Sequence, residues 1–415
     1  LLVACDRPAG PEFPTCADVG ADIAFDTPPT WHRDVAPLLQ RSCGGCHQPG
    51  GVSDRPLLDY ADAAERADLI AARTADRSMP PGSPSSCGEC QTYRNARWLE
   101  PQDIATLRAW AEAGAPEGDV ADAVKAKPLL DVLDRVDATV QLPEPYLPGV
   151  SQGDDDYRCF VLDLDLASDQ YLTGFEVRPD VLEQVHHVIL YKVNSDDAAD
   201  QARELDAGEA GLGYTCFGGA KVPAGAIAGW APGVGASLYP AGTGIPVPAG
   251  QPLIMQVHYH VDAEAQPDQS AVDLRLEAEV AAPAAFLSAS DATFVLEPGQ
   301  ASVSSTLERD SLTSVPSERS GWVWGVLPHM HTLGRSLHAE AWGDDRYECL
   351  VDVPAWDFDF QGLYFYDEPV STGADWTVSI TCEWDTRSRD DVVTWGDGTT
   401  DEMCLASFYA TWERP

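Results

Sequence analysis

Val272-Asp273-Leu274-Arg275-Leu276-Glu277-Ala278 alternates apolar and charged side chains without a break. A period of two is what a strand needs when one face lies on a core and the other meets water. The same reading applies to Cys159-Phe160-Val161-Leu162-Asp163-Leu164-Asp165-Leu166, to residues 253–261 and to Trp376-Thr377-Val378-Ser379-Ile380-Thr381-Cys382, with Gly, Pro and Asp clusters between them. The whole chain carries 34 Gly and 32 Pro in 415 residues, a composition that favours turns over long helices. The expected fold is mainly β: two tandem antiparallel β-sandwiches, jelly-roll-like, over residues 148–283 and 284–415, preceded by a small all-α domain.

That length exceeds what one hydrophobic core usually organises. Lys and Arg number 26 against 67 Asp and Glu, a net charge of -41, so phosphate backbones and anionic lipid headgroups are repelled and no nucleic-acid partner is expected. No run approaches the roughly 18 apolar residues of a membrane span, and the chain reads as soluble. Cysteines at 5, 16, 43, 46, 87, 90, 159, 216, 349, 382 and 404 suit an oxidising compartment, which makes the protein exported: periplasmic, outer-membrane-tethered or extracellular. Leu1-Leu2-Val3-Ala4-Cys5 resembles a bacterial lipobox, with Cys5 as the site of a lipid tether. The alternative is an apolar stub of a signal peptide followed by an ordinary cysteine. Residues 1–28 are this start and a flexible leader rich in Pro, Gly and Asp.

Ser42-Cys43-Gly44-Gly45-Cys46-His47-Gln48 contains Cys-x-x-Cys-His. The spacing lets two cysteines form thioethers with heme vinyl groups while the adjacent histidine ligates iron. A redox disulfide or half a zinc site is the competing reading, weakened because no second Cys/His pair lies nearby at zinc-finger spacing. Residues 31–40 and 60–73 read as short helices. A third opens at Pro101, with Ile104, Leu107, Trp110 and Ala111 on one face and Gly114 as its stop. This arrangement resembles a class I cytochrome c over residues 29–118, which implies heme c. Met79, in Ser78-Met79-Pro80-Pro81-Gly82, matches the loop methionine that completes the iron coordination there; a core methionine is its alternative. Cys87 and Cys90 allow a local disulfide, a metal clip, or separate bonds to Cys16 and another cysteine. Residues 119–147 read as a linker with one short helix near 129–136.

Six of the nine histidines fall in three tight groups: His186-His187, His258-Tyr259-His260 and His329-Met330-His331. Residues two apart on a strand share a face, so the second and third groups can each present two imidazoles to one metal. His186 and His187 are adjacent and need a strand end or a bulge to ligate together. Imidazole with thioether favours copper. For any one pair, satisfied imidazoles on a half-buried face are the bland alternative; three groups together outweigh it.

The order His186-His187, then Gln256-Val257-His258-Tyr259, then His329-Met330-His331-Thr332-Leu333-Gly334, then Asp401-Glu402-Met403-Cys404 resembles the copper type II, ascorbate-dependent monooxygenases over residues 145–415. The resemblance implies two copper ions. One, on His186, His187 and His258, stores and passes an electron; the other, on His329, His331 and Met403, binds oxygen and hydroxylates. It also implies a small-molecule substrate, O2 and an external electron donor such as ascorbate, which the heme would replace or assist. His260 matches no ligand position. The resemblance further implies disulfides Cys382–Cys404 and Cys159–Cys216 and leaves Cys349 without an evident local partner. Peptide-hydroxylating members anchor a carboxylate through an arginine just before His-x-His and polar groups after Met-Cys; here stand Leu327, and Leu405 and Ser407. The expected substrate is therefore neutral or apolar. Two rival readings are a non-catalytic copper and heme electron carrier and a zinc hydrolase, the latter lacking an obvious general base.

Overall fold

A computed structural model describes residues 23–49, 51, 53, 55–86, 90–94, 96–124, 131–149, 155–261, 264–310, 321–343, 346–358, 360–373, 376–396 and 400–415. The lipobox-like start, Cys16 and Cys87 lie outside them. The protein is mainly β, with 39% of residues in strands and 16% in helices, and its strands form several antiparallel sheets. Two compact units are distinguished, one of Gly20–Pro81 and Leu99–Phe286, the other of Gly82–Trp98 and Leu287–Arg414.

In the first unit, one sheet runs in the order Tyr214–Thr215, Asp155–Leu162, Leu253–His260, Val185–Val193, Ala224–Trp230. Ala271–Glu277, the strand with the cleanest alternation, lies in another sheet between Ala138–Gln141 and Gln170–Arg178. A helix, Asp196–Gly208, begins where the Ser195 hydroxyl accepts from Ala198 N, and Asp196 and Asp197 favour its first turn. Ala198, Ala199 and Ala202 pack on Val193, Tyr214 and Ile254, and disulfide Cys159–Cys216 is buried in that cluster.

The second unit has a four-stranded sheet in the order Val303–Asp310, Thr377–Trp384, Gly334–Gly343, Arg346–Val353. Gly321–Met330 pairs on one side with Tyr364–Thr372 and on the other with Cys404–Thr411. Side chains from both sets, including Val326, Met330, Leu337, Ile380, Trp384 and Phe408, share one buried cluster. Disulfide Cys382–Cys404 ties the sets together; closing its loop of 22 residues restrains the unfolded chain by about 3 kcal/mol. Cys90 pairs with Cys349 across 259 residues. Of the alternatives open for Cys90, the long-range bond is the one formed, and Cys349 lacked a local partner because its partner is remote in sequence.

Two expectations need correction. A separate all-α cytochrome c domain over 29–118 is not evident; only short helices are, a π-turn at Trp31–Val35 followed by Ala36–Ser42, Tyr60–Glu65, Ala67–Ala75 and Pro101–Glu112. Helices this short are marginal alone and depend on packing, here a cluster of Trp31, Leu38, Leu39, Leu57, Leu107 and Trp110. The intervening residues Gly82–Trp98 group with the other unit. The short helix near 129–136 is also absent among its described residues, 131–136. Their polar groups bond elsewhere: Asp131 O accepts from Ala236 N, Leu133 N donates to Glu176, and Arg135 binds Asp137 and Glu277. Three disulfides suit export, and among the described residues no helix is long and apolar enough to cross a membrane.

Candidate metal centres

His186 and His187 open the strand Val185–Val193. Its register against Leu253–His260 shifts there, Val185 facing Tyr259 and His187 facing His258. His186 is the extra residue, and such a bulge turns toward one side two neighbours that a regular strand would aim apart. The ligand atoms of His186, His187 and His258 lie within 4.8 Å of one another. His187 Nδ1 is 3.4 Å from His186 Nδ1 and 3.3 Å from His258 Nδ1. Two nitrogens bound tetrahedrally to one ion at about 2.0–2.1 Å stand about 3.3 Å apart. The two pairs made by His187 thus already have the spacing of neighbours in a coordination shell, and the third pair lies within 4.8 Å.

His258 is the anchor of this group. Only 2% exposed, it stacks on its cross-strand partner Tyr157 with ring centroids 4.0 Å apart. Its Nε2 donates to Asp155 Oδ1 at 3.0 Å, and the same oxygen lies 2.7 Å from His260 Nδ1. A carboxylate on the far nitrogen fixes the tautomer, so Nδ1 offers its lone pair to the cluster. Burial pushes the His258 imidazole below its ordinary value, which keeps it a neutral donor. Burial would raise Asp155, but hydrogen bonds from His258 and His260 hold it at about 2. His260 belongs to the Asp155 pair and stays outside the three-histidine group.

The second group is built differently. His329 and His331 lie at the end of Gly321–Met330, with ring centroids 5.2 Å apart and planes at 85°. His329 Nδ1 contacts Gln361 Oε1, and His331 Nδ1 lies 3.1 Å from the Asp401 carbonyl. Each acceptor takes the proton of Nδ1 and leaves Nε2 with the lone pair. Burial, aided by the neighbouring His331, pushes His329 down to about 4.

Strand pairing carries the Met403 backbone to the same end of the sheet. Leu405 faces His329 and Cys404 faces Met330, so Met403 enters at the His331 turn. Fully buried Glu402 clamps the two segments. Its carboxylate accepts from His331 N at 3.0 Å, Leu333 N at 2.6 Å, Trp384 Nε1 at 2.9 Å and Met403 N at 3.2 Å. Burial pushes Glu402 up to about 7, while these four N–H donors favour the carboxylate. Gly334 closes the turn, because a Cβ there would come within 2.5 Å of the Trp356 ring.

The Cys-x-x-Cys-His residues lie together at the end of Ala36–Ser42. Cys43 caps that helix with its N–H on Leu39 O, and His47 N donates to Cys43 O at 2.9 Å. Neither Cys43 nor Cys46 belongs to the three disulfides. His47 Nδ1 lies 2.8 Å from Arg55 O, which directs the lone pair to Nε2, as an iron ligand requires. Met79 lies on a turn with 40% of its surface exposed.

Asp155, Gln361 and the orienting role of Glu402 were not read from sequence. Glu402 stands inside a quoted motif, but nothing in its spacing marks it as a clamp. Asp155 is one acidic residue in an acidic run, picked out only by its pairing with His260.

No curated protein matches the chain. Among solved structures, the major capsid protein P2 of bacteriophage PM2 is similar at 12% identity over 67% of this chain and 98% of its own, with a TM-score of 0.26. The VP2 subviral particle of infectious bursal disease virus is similar at 10% identity over 68% and 73%, with a TM-score of 0.18. Residues 289–413, the stretch with His329, His331, Met403 and disulfide Cys382–Cys404, match the model of the copper type II ascorbate-dependent monooxygenase, C-terminal domain.

Proposed function

We propose that the protein is a copper-dependent monooxygenase that hydroxylates a C–H bond of a small neutral or apolar substrate with O2, with a c-type heme on Cys43, Cys46 and His47 relaying electrons. The observation that carries this reading is the combination of the family match over residues 289–413 with the three-histidine cluster outside it. The proposed organisation is two copper β-sandwiches over 148–283 and 284–415, after a heme segment over 29–118.

When bound, the copper ions would supply electron storage and oxygen activation, and the heme an electron store. The chain's own residues do the rest. His186, His187 and His258 hold one ion, Asp155 fixing the His258 tautomer. His329, His331 and Met403 hold the other; Gln361 and the Asp401 carbonyl orient the imidazoles, and Glu402 holds the Met403 segment to the His331 turn. The Met403 thioether would be a soft donor beside the two imidazoles, a set that suits copper. Leu327 and Leu405 flank this group where a carboxylate anchor would stand, so an uncharged substrate fits better than a peptide carboxylate. Met79 is the proposed second iron ligand, and ascorbate or another external one-electron donor completes the cycle.

The test is oxygen uptake with mass-spectrometric detection of an added oxygen atom, across a panel of neutral substrates. Wild type is expected to give product, and Met403→Ile to give none while retaining copper on His186, His187 and His258. Product formation at the wild-type rate by Met403→Ile would remove the role given to this residue. Electron transfer with no oxygenated product from any substrate would favour the electron-carrier reading.

A further inference from the structure

Cys46 is buried, and its sulfur lies 3.9 Å from the carbonyl oxygen of Pro232. Both residues belong to the same compact unit. Pro232 stands in a tight turn, Ala231-Pro232-Gly233-Val234, closed by Val234 N donating to Ala231 O at 3.2 Å. Gly233 has φ +83, so proline then a left-handed glycine gives a type II turn. In that geometry the carbonyl between the two central residues is not used by the turn itself. The Trp230 indole donates to Val234 O at 2.7 Å and braces the turn from its base.

Trp230 is also the last residue of strand Ala224–Trp230, where it faces Val188. Val188 follows His187 directly. From the Cys46 sulfur the route is therefore short: one contact to Pro232, two residues back to Trp230, one interstrand step of about 4.8 Å to Val188, and one residue to His187.

We propose that the Trp230–Val234 turn is the electron entry to the His186, His187 and His258 centre, coupling it to a heme carried on Cys43, Cys46 and His47. This rests on the reading of both groups as cofactor sites. One electron crosses per event, ferrous iron becoming ferric as the cupric ion becomes cuprous, with no bond made and no proton moved. The heme is re-reduced by an external one-electron donor of the ascorbate class. The turn's rigidity then has a purpose, since it fixes the distance across which the electron passes.

The experiment uses the full chain loaded with covalent heme and copper, without oxygen. The heme is reduced by a light-generated one-electron donor, its reoxidation is followed by absorbance, and loss of the Cu(II) signal is followed by freeze-quench electron paramagnetic resonance. The two time courses are expected to coincide. Reoxidation should slow about tenfold or more in Trp230→Phe and Gly233→Ala, because small displacements of a fixed geometry cost large factors in rate. Gly250→Ala, which strains another left-handed glycine in the same unit without meeting a neighbour, should leave the rate unchanged. A second readout needs no variant: the ferric heme should accelerate spin relaxation of the Cu(II) at His186, His187 and His258. Unchanged reoxidation in His258→Ala, or absence of relaxation enhancement in the loaded wild type, would overturn the proposal alone. A chain that takes up no covalent heme overturns the reading of Cys43, Cys46 and His47 and the proposal with it.

Discussion

The two histidine groups solve one problem, holding neutral imidazoles in fixed directions, by opposite means. In the first, the ligands come from two paired strands of one sheet, a bulge at His186 gathers them, and all three present Nδ1. In the second, both imidazoles come from one strand end, their Nδ1 atoms are taken by acceptors, and Nε2 is presented. The first is closed by its own backbone register, with a carboxylate behind one ring. The second depends on side chains and loops, above all Glu402, to bring a residue from the next strand alongside.

The comparison breaks most sharply by removing a ligand from each side. His258→Ala is expected to lose the copper of the first group and keep that of the second, and His329→Ala the reverse, each by elemental analysis with copper paramagnetic resonance. Loss of both ions from either variant would mean that the two groups are not independent.

The orienting residues sharpen it at the next level. Asp155→Asn should weaken copper at the first group by about 10–100-fold and leave the second unchanged in metal titrations. Glu402→Gln replaces one carboxylate oxygen with an N–H₂, which then faces N–H donors: Oε1 accepts from Leu333 N, and Oε2 from His331 N, Trp384 Nε1 and Met403 N. It should cost about 1–3 kcal/mol of stability in denaturant unfolding and weaken copper at the second group only.

The smallest effect is a pH dependence confined to the second unit. His338 lies between Glu340 and Asp352, at 3.4 and 3.3 Å. Burial pushes its imidazole down, but the hydrogen bonds and charges of Asp352 and Glu340 prevail and hold it at about 9. The protonated form is thus favoured by folding. This contribution is fully present below the ordinary histidine value near 6.5 and is lost as pH rises through about 9. Thermal unfolding should show the second unit weakening over that window, and His338→Gln should flatten the slope.

The strands were legible because their faces differ: alternation in Val272–Ala278 is a direct imprint of a half-buried sheet, and the structure has the strand Ala271–Glu277 there. Helix Pro101–Glu112 was legible for a similar reason, with proline in its first turn and Gly114 at φ +81 after its end. The helix near 129–136 misled because its apolar residues mimic a helical period. Their polar groups instead find partners on Gln170–Arg178 and Ala271–Glu277, a tertiary choice that no local pattern announces.

The sequence by itself determined the chemical inventory: which residues carry imidazole, thiol and thioether donors, their order, and the β periodicity that carries them. It determined this because ligand identity and strand period are properties of neighbouring residues. Only the tertiary structure decided that His186 bulges toward His258, that Asp155 stands behind that ring, that Cys90 reaches Cys349, and that Cys46 touches the turn beside the His187 strand. Each of these joins segments distant in the chain, and register and packing choose such partners through the burial of the whole sheet, to which spacing along the sequence is blind.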